Sequence, residues 1–214
     1  LDLRKLGPLG CGYVTGSGTV FNTLKPKPGD TIAVFGTGAV GLAAMMAGRI
    51  SGCIKVIAVD IVPERLELAK ELGATHAINS KEEDPVEKIK DLTGGYGVDW
   101  TVDTTGLSSV IMNSVAALAQ GVTCAAIAVT PHLIELSTWN DLCVDDKKIV
   151  GVNTAVERDD DELEILRVSA EVEREQCRVL ADRRAGRDDG RVHAALAAVS
   201  GAAMGDDNLI PPML

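Results

Sequence analysis

The sequence predicts an α/β protein built on a doubly wound parallel sheet. Three observations carry this expectation. Short β-branched runs alternate with longer amphipathic stretches from about residue 31 onward, the rhythm of βαβ units. A glycine-rich turn, Gly36-Thr37-Gly38-Ala39-Val40-Gly41, falls between the first run and the first helical stretch. Apolar residues make up 46% of the chain but aromatics only 3%, so its core must be built from Val, Ile, Ala and Leu.

The elements follow in order. Residues 31–35 (TIAVF) are an apolar run entered through the turn signal Pro28-Gly29-Asp30. Residues 39–51, rich in Ala, Met and Leu, read as a buried helix ending near Gly52. Residues 55–60 are a second strand, and Pro63 then stands where the first turn of a helix tolerates it. That helix carries Leu66, Ala69, Lys70 and Leu72 and stops at Gly73. A short third strand is expected at 76–79 and a polar-faced helix at 86–92. The fourth strand is 98–103 and the next helix 108–119. Residues 122–129 form an almost continuous apolar run, as in a strand covered on both faces, and 148–152 make a sixth strand.

The composition then changes. All ten lysines lie at or before Lys148, while eight of the eleven arginines lie at or beyond Arg158. Residues 157–191 are dense in Asp, Glu and Arg, and 162–181 read as a charged helix with a broken apolar stripe. The rest of this tail is expected to be irregular. Either an out-of-frame reading of a GC-rich gene or divergence of a solvated tail fits the change.

Charge and cysteine usage exclude several classes. A net charge of -10 repels phosphate backbones, so no nucleic-acid partner is expected. No apolar run approaches the roughly 20 residues of a membrane span, and no secretory signal pattern is present. The five cysteines are odd in number and scattered, which fits reduced thiols in the cytoplasm.

The glycine turn carries the chemistry. In a GxGxxG between strand and helix, Gly36 makes the tight turn and Gly38, lacking Cβ, lets a pyrophosphate approach the backbone. Gly41 lets helix and strand pack closely. Helix-start N–H groups and the positive dipole end then hold the phosphates. Asp60, nineteen residues beyond Gly41 at the end of the second strand, can accept both ribose hydroxyls and repel a 2′-phosphate. The plainer alternatives for Asp60 are a solvated strand end or an N-cap of the Pro63 helix. S-adenosylmethionine-binding folds use a similar turn, but place an acid before the first glycine, where this chain has Phe35. A dinucleotide, NAD rather than NADP, is the expected cofactor of a Rossmann fold.

Leu9-Gly10-Cys11-Gly12-Tyr13-Val14-Thr15-Gly16, followed by Lys25-Pro26-Lys27-Pro28-Gly29-Asp30 and the glycine turn, extends this reading. Over roughly residues 1–155 the chain resembles the zinc-dependent medium-chain alcohol dehydrogenases, closest to their aryl- or benzyl-alcohol branch. The resemblance implies that Cys11 is a ligand of the catalytic zinc and that Thr15 packs near the nicotinamide. It places Val40 behind the same ring and brings Arg65 to the ribose. Thr104, Thr105 and Gly106 would line the adenosine side. Ile127 and Val129 would lie beside the nicotinamide, with Ala128 where the family usually has glycine. By its residues alone, Cys11 reads equally as a small buried hydrophobe.

The implied organisation is a remnant of the catalytic domain and linker at 1–25, a dinucleotide-binding domain at 26–156 and a divergent charged tail at 157–214. The implied reaction passes hydride between a primary aryl or allylic alcohol and NAD, the aldehyde being the product. The family's remaining zinc ligands precede the LGCG stretch, and His76, His132 and His193 do not replace them, so little activity is expected of this chain alone. A non-catalytic dinucleotide-binding module and an NADPH-dependent quinone reductase are the competing readings; Asp60 and Cys11 argue against the second. The resemblance also implies pairing of two copies through the sheet edge at 148–152.

Overall fold

A computed structural model describes residues 9–128 and 133–153. The expected tail at 157–214, together with Val129 and His132, lies outside the described residues.

Six parallel strands form one sheet in the order β3-β2-β1-β4-β5-β6. They are β1 (Thr31–Phe35), β2 (Lys55–Asp60), β3 (His76–Asn79), β4 (Val98–Asp103), β5 (Leu118–Ala126) and β6 (Lys148–Gly151). Helix α2 (Ala39–Ile50) joins β1 to β2 and α3 (Pro63–Glu71) joins β2 to β3. Helix α4 (Pro85–Leu92) leads to β4, and α5 (Ser108–Ala116) leads to β5. Before the sheet, α1 (Val14–Gly18) sits between two π-helical turns, Leu9–Tyr13 and Thr19–Leu24. None of the described helices is long and apolar enough to cross a membrane.

The period-2 alternation of β1 divides the core. Ile32 and Val34 pack with Val20, Leu42, Met45 and Leu66, the side of α1, α2 and α3. Ala33 and Phe35 face the other way, toward Ile57, Ile78, Ile89 and Val98. Both faces being covered is why the strands read as continuous apolar runs. At the sheet's lower end, Asp99 accepts from the Thr31 amide and hydroxyl at 2.8 and 2.7 Å. The Trp100 indole N–H donates to Asp30 at 2.9 Å. These bonds pin the entry to β1 against β4.

Helix starts follow the capping chemistry. Pro63 and Pro85 each occupy the first turn. Asp84 caps α4 by accepting from the Val86 and Glu87 amides at 2.8 and 3.1 Å.

One boundary departs from expectation. The helix expected at 108–119 ends at Ala116, and the strand expected at 122–129 runs instead over Leu118–Ala126. Tertiary pairing overrides the helical preference of Ala117, Leu118 and Ala119. Val98 donates its amide to the Ala117 carbonyl at 3.0 Å and pairs with Leu118, after which the β4–β5 register shifts. Gly97 permits that approach, since a Cβ there would stand 2.6 Å from the Ala117 oxygen.

The order of strands places β1 beside β4, where the chain reverses its direction of winding. In open α/β sheets the crevice at the carboxyl ends of such a pair is the ligand site.

Candidate functional site

The carboxyl ends of β1, β2 and β4 open on a cavity of about 410 Å3. Gly36, Gly38, Ala39 and Val40 form one end of its lining. Asp60, Arg65, Thr104 and Thr105 also line it, as do Ile61, Ser80, Pro85, Leu107, Val110 and Asn113.

The three glycines of the turn meet three different constraints. Gly36 takes φ 90, a left-handed conformation, and donates its amide to the Val59 carbonyl at 2.8 Å. A Cβ at Gly41 would fall 1.9 Å from the Gly36 carbonyl oxygen, so α2 lies against the turn without room for a methyl group. Gly38 is the opposite case: nothing stands within 4 Å of where its Cβ would be. It is the N-cap of α2, with no side-chain cap and no acid in the first helical turn. The unsatisfied N–H groups there and the positive dipole end suit an anion.

Asp60 ends β2 and is only 7% exposed. Its Oδ2 accepts from the Thr37 amide and hydroxyl, both at 2.7 Å. Its Oδ1 accepts from the amides of Ile61 at 2.7 Å and Val62 at 3.0 Å. Thus the ribose acid expected from the sequence also ties the glycine turn to the start of the β2–α3 connection. Arg65, in the first turn of α3, brings a positive charge to the same cavity wall.

The β4 end closes the other side. Thr104 donates its hydroxyl to the carbonyls of Phe35 and Gly36, at 3.0 Å each. Asp103, wholly buried, accepts from the Thr105 hydroxyl at 2.7 Å and from the amides of Thr105 and Gly106 at 3.3 and 3.0 Å. Burial raises its carboxyl above the ordinary aspartate value, and these three donors lower it only in part. A carboxyl whose folded value is raised contributes stability below its unfolded value, and that contribution is lost as pH rises through the folded one. Asp103→Asn puts an amide N–H among groups that donate, and is expected to cost about 1–3 kcal/mol. The deficit relative to the parent chain is expected to be largest in mild acid and to shrink toward neutral pH. Urea unfolding of both proteins across that range checks the trend; a gap that widens with pH would contradict it.

Other sequence-expected residues stand outside the cavity lining. Thr37 is fully buried with its amide and hydroxyl on Asp60, and Gly41 is buried in the first turn of α2. Cys11 is exposed, in the π-helical turn Leu9–Tyr13. A Cβ on its neighbour Gly12 would meet Ala39 Cβ at 3.7 Å and Val40 Cγ2 at 4.0 Å, so this turn abuts the start of α2. Thr15 is buried in α1, where its carbonyl accepts the Thr19 hydroxyl at 2.7 Å. A Cβ at Gly16 would be 2.1 Å from the Val40 carbonyl oxygen, which shows how closely α1 lies on α2. Ile127, just past β5, packs against the core cluster of Ile32 and Val34 and donates its amide to the Asp103 carbonyl at 3.0 Å. Among the described residues, no group of three or more His, Cys, Asp or Glu side chains could hold a metal ion.

Eight lining residues were not expected from the sequence as site residues: Phe35, Val59, Ile61, Ser80, Pro85, Leu107, Val110 and Asn113. Ser80 directly follows β3 and Leu107 lies just past β4, so the rule of ligands at strand carboxyl ends could have found them. Pro85, Val110 and Asn113 sit on helices whose placement only the folded chain shows.

Comparison with known proteins agrees with this geometry. The zinc-binding dehydrogenase family model matches residues 39–168. A probable alcohol dehydrogenase from a Pseudomonas species is 37% identical over 152 residues, covering 70% of this chain and 48% of that protein. Geraniol dehydrogenase from Castellaniella defragrans is 44% identical over 122 residues, 56% of this chain and 32% of that one. The crystal structure of benzyl alcohol dehydrogenase from Acinetobacter calcoaceticus superposes with a TM-score of 0.74 at 35% identity, covering 87% of this chain and 55% of that one. The chain thus spans less than half the length of these two sequence relatives. With its glycine turn, its strand-end acid and this match over more than half its length, the chain belongs to the zinc-binding dehydrogenase family.

Proposed function

We propose that the cavity binds NAD and that the chain is the cofactor-holding part of an alcohol dehydrogenase. The single observation that carries this reading is Asp60, a carboxylate in the wall of a cavity whose phosphate end is the open backbone at Gly38. The α2 N-terminus, from Gly38 through Val40, would hold the pyrophosphate. Asp60 would receive the hydroxyls of the adenosine ribose, and its charge would oppose the 2′-phosphate of NADP. Arg65 would lie over that ribose, and Thr105 with Ile61 would border the adenosine. Val40, Thr15, Ile127 and Val129 are proposed for the nicotinamide side. Bound there, the nicotinamide supplies the hydride acceptor.

A primary aryl or allylic alcohol is the proposed substrate, supported by relatives named as benzyl alcohol and geraniol dehydrogenases. Cys11 is the proposed zinc ligand. Since a catalytic zinc takes three protein ligands, the described residues by themselves do not fit a zinc site. What they do alone is hold and orient the cofactor. Residues 26–156 are proposed as the cofactor domain, and the edge position of β6 suits pairing with a second copy.

The test is Asp60→Ala. Titration of the full chain with each cofactor is expected to show NAD affinity falling about tenfold or more, from the loss of charge-assisted hydrogen bonds. The preference for NAD over NADP should fall with it. A variant that keeps the parent's discrimination would mean that the ribose is read elsewhere.

A further inference from the structure

The glycine turn is held from both of the strands that flank β1. On the β2 side the Gly36 amide donates to the Val59 carbonyl at 2.8 Å, and the Thr37 amide to Asp60 at 2.7 Å. On the β4 side the Thr104 amide donates to the Phe35 carbonyl at 2.9 Å. The Thr104 hydroxyl shares its one hydrogen between the Phe35 and Gly36 carbonyls, at 3.0 Å each. Among the described residues, it is the one donor to the Gly36 carbonyl.

The peptide unit between Gly36 and Thr37 is therefore gripped at both ends. Its carbonyl is held by Thr104 from β4, and its N–H by Asp60 from β2. A peptide unit is planar, so fixing both ends fixes its orientation. With it is fixed the direction in which the chain enters Gly38 and α2. The Gly36 oxygen is also the atom that a Cβ on Gly41 would meet at 1.9 Å. It thus stands between the Thr104 hydroxyl and the first turn of α2.

We infer that Thr104 is a positioning residue for the pyrophosphate: through the Gly36 carbonyl it aims the α2 N–H groups at the phosphates. This rests on the reading that the α2 N-terminus holds the pyrophosphate of NAD. Thr104 and Gly36 both line the cavity and are partly exposed, so water can take the place of a lost hydroxyl and the fold survives. What is lost is the fixed orientation of the turn, and affinity falls with the fraction of time the turn spends in its competent shape.

The experiment titrates the full chain and its variants with NAD and ADP by calorimetry. Adenosine binding is followed by nuclear magnetic resonance, which reads weak complexes. Thr104→Ala removes the hydroxyl and is expected to bind NAD and ADP about three- to tenfold more weakly, the worth of one hydrogen bond. Adenosine, which carries no phosphate, should bind within about twofold of the parent, less than that worth. Thr104→Ser keeps the hydroxyl and is expected to return the parent affinity for all three. Thr104→Val reads the same split with the β-branched shape kept, if alanine prevents folding. A side chain that only stabilised the sheet, or only lined the adenosine, would weaken adenosine as much as ADP. That result overturns the proposal, as do alanine and valine variants that bind NAD and ADP as tightly as the parent. If Gly38→Ala leaves NAD binding unchanged, the pyrophosphate reading itself fails, and the role of Thr104 with it.

Discussion

Gly41→Ala is expected to unfold the glycine turn, lowering stability by more than about 3 kcal/mol, beyond most single substitutions. The added Cβ would stand 1.9 Å from the Gly36 carbonyl oxygen and 3.0 Å from its carbon. Both are backbone atoms, so no rotamer change relieves the overlap. On its other side Val34 Cγ1 is 3.3 Å away, within the core that α2 shares with β1. Relief requires α2 to withdraw from β1, opening contacts made by Leu42 and Met45. The corresponding fall in melting temperature is roughly 6–12 °C for a chain of this size. Thermal unfolding followed by circular dichroism checks it, and a melting temperature within a degree or two of the parent would show that the helix is not so constrained.

Gly38→Ala is expected to do the reverse, sparing the fold and removing the ligand. Glycine 38 has φ -72 and ψ -172, an extended conformation open to alanine, and its Cβ would meet nothing within 4 Å. The stability cost should stay within about 1 kcal/mol, alanine being a weaker N-cap than glycine. That empty space, however, is where the pyrophosphate must approach the α2 amides. With a methyl group in the way, one or two charge-assisted hydrogen bonds are lost, and NAD affinity should drop at least about tenfold. Two glycines three residues apart thus give opposite results, one in unfolding and one in titration. Unchanged NAD binding by Gly38→Ala would place the phosphates elsewhere in the cavity.

Much of this is legible in the amino-acid sequence, for a physical reason. Strands covered on both faces must be apolar throughout, and a chain with few aromatics writes them as Val-Ile-Ala runs. The bounds of β1 and β2 could therefore be read directly. The end of α5 could not, because Leu118 and Ala119 favour a helix locally and become strand only through the pairing of β5 with β4, which begins at Val98 and Leu118. The glycine turn was readable because each glycine answers a steric demand that no other residue meets. The engagement of Asp60 by Thr37 was hidden, since it joins residues 23 apart through a turn whose shape no local pattern specifies. Thr104 carried a similar surprise: its place at the β4 end was expected, but its hydroxyl serves the Phe35 and Gly36 carbonyls.

The most direct test of the central claim is calorimetric titration of the full chain with NAD and with NADP, with and without zinc. NAD is expected to bind in preference to NADP, and zinc to make no difference because Cys11 lacks partner ligands among the described residues. Binding of neither cofactor, or preference for NADP, would contradict it.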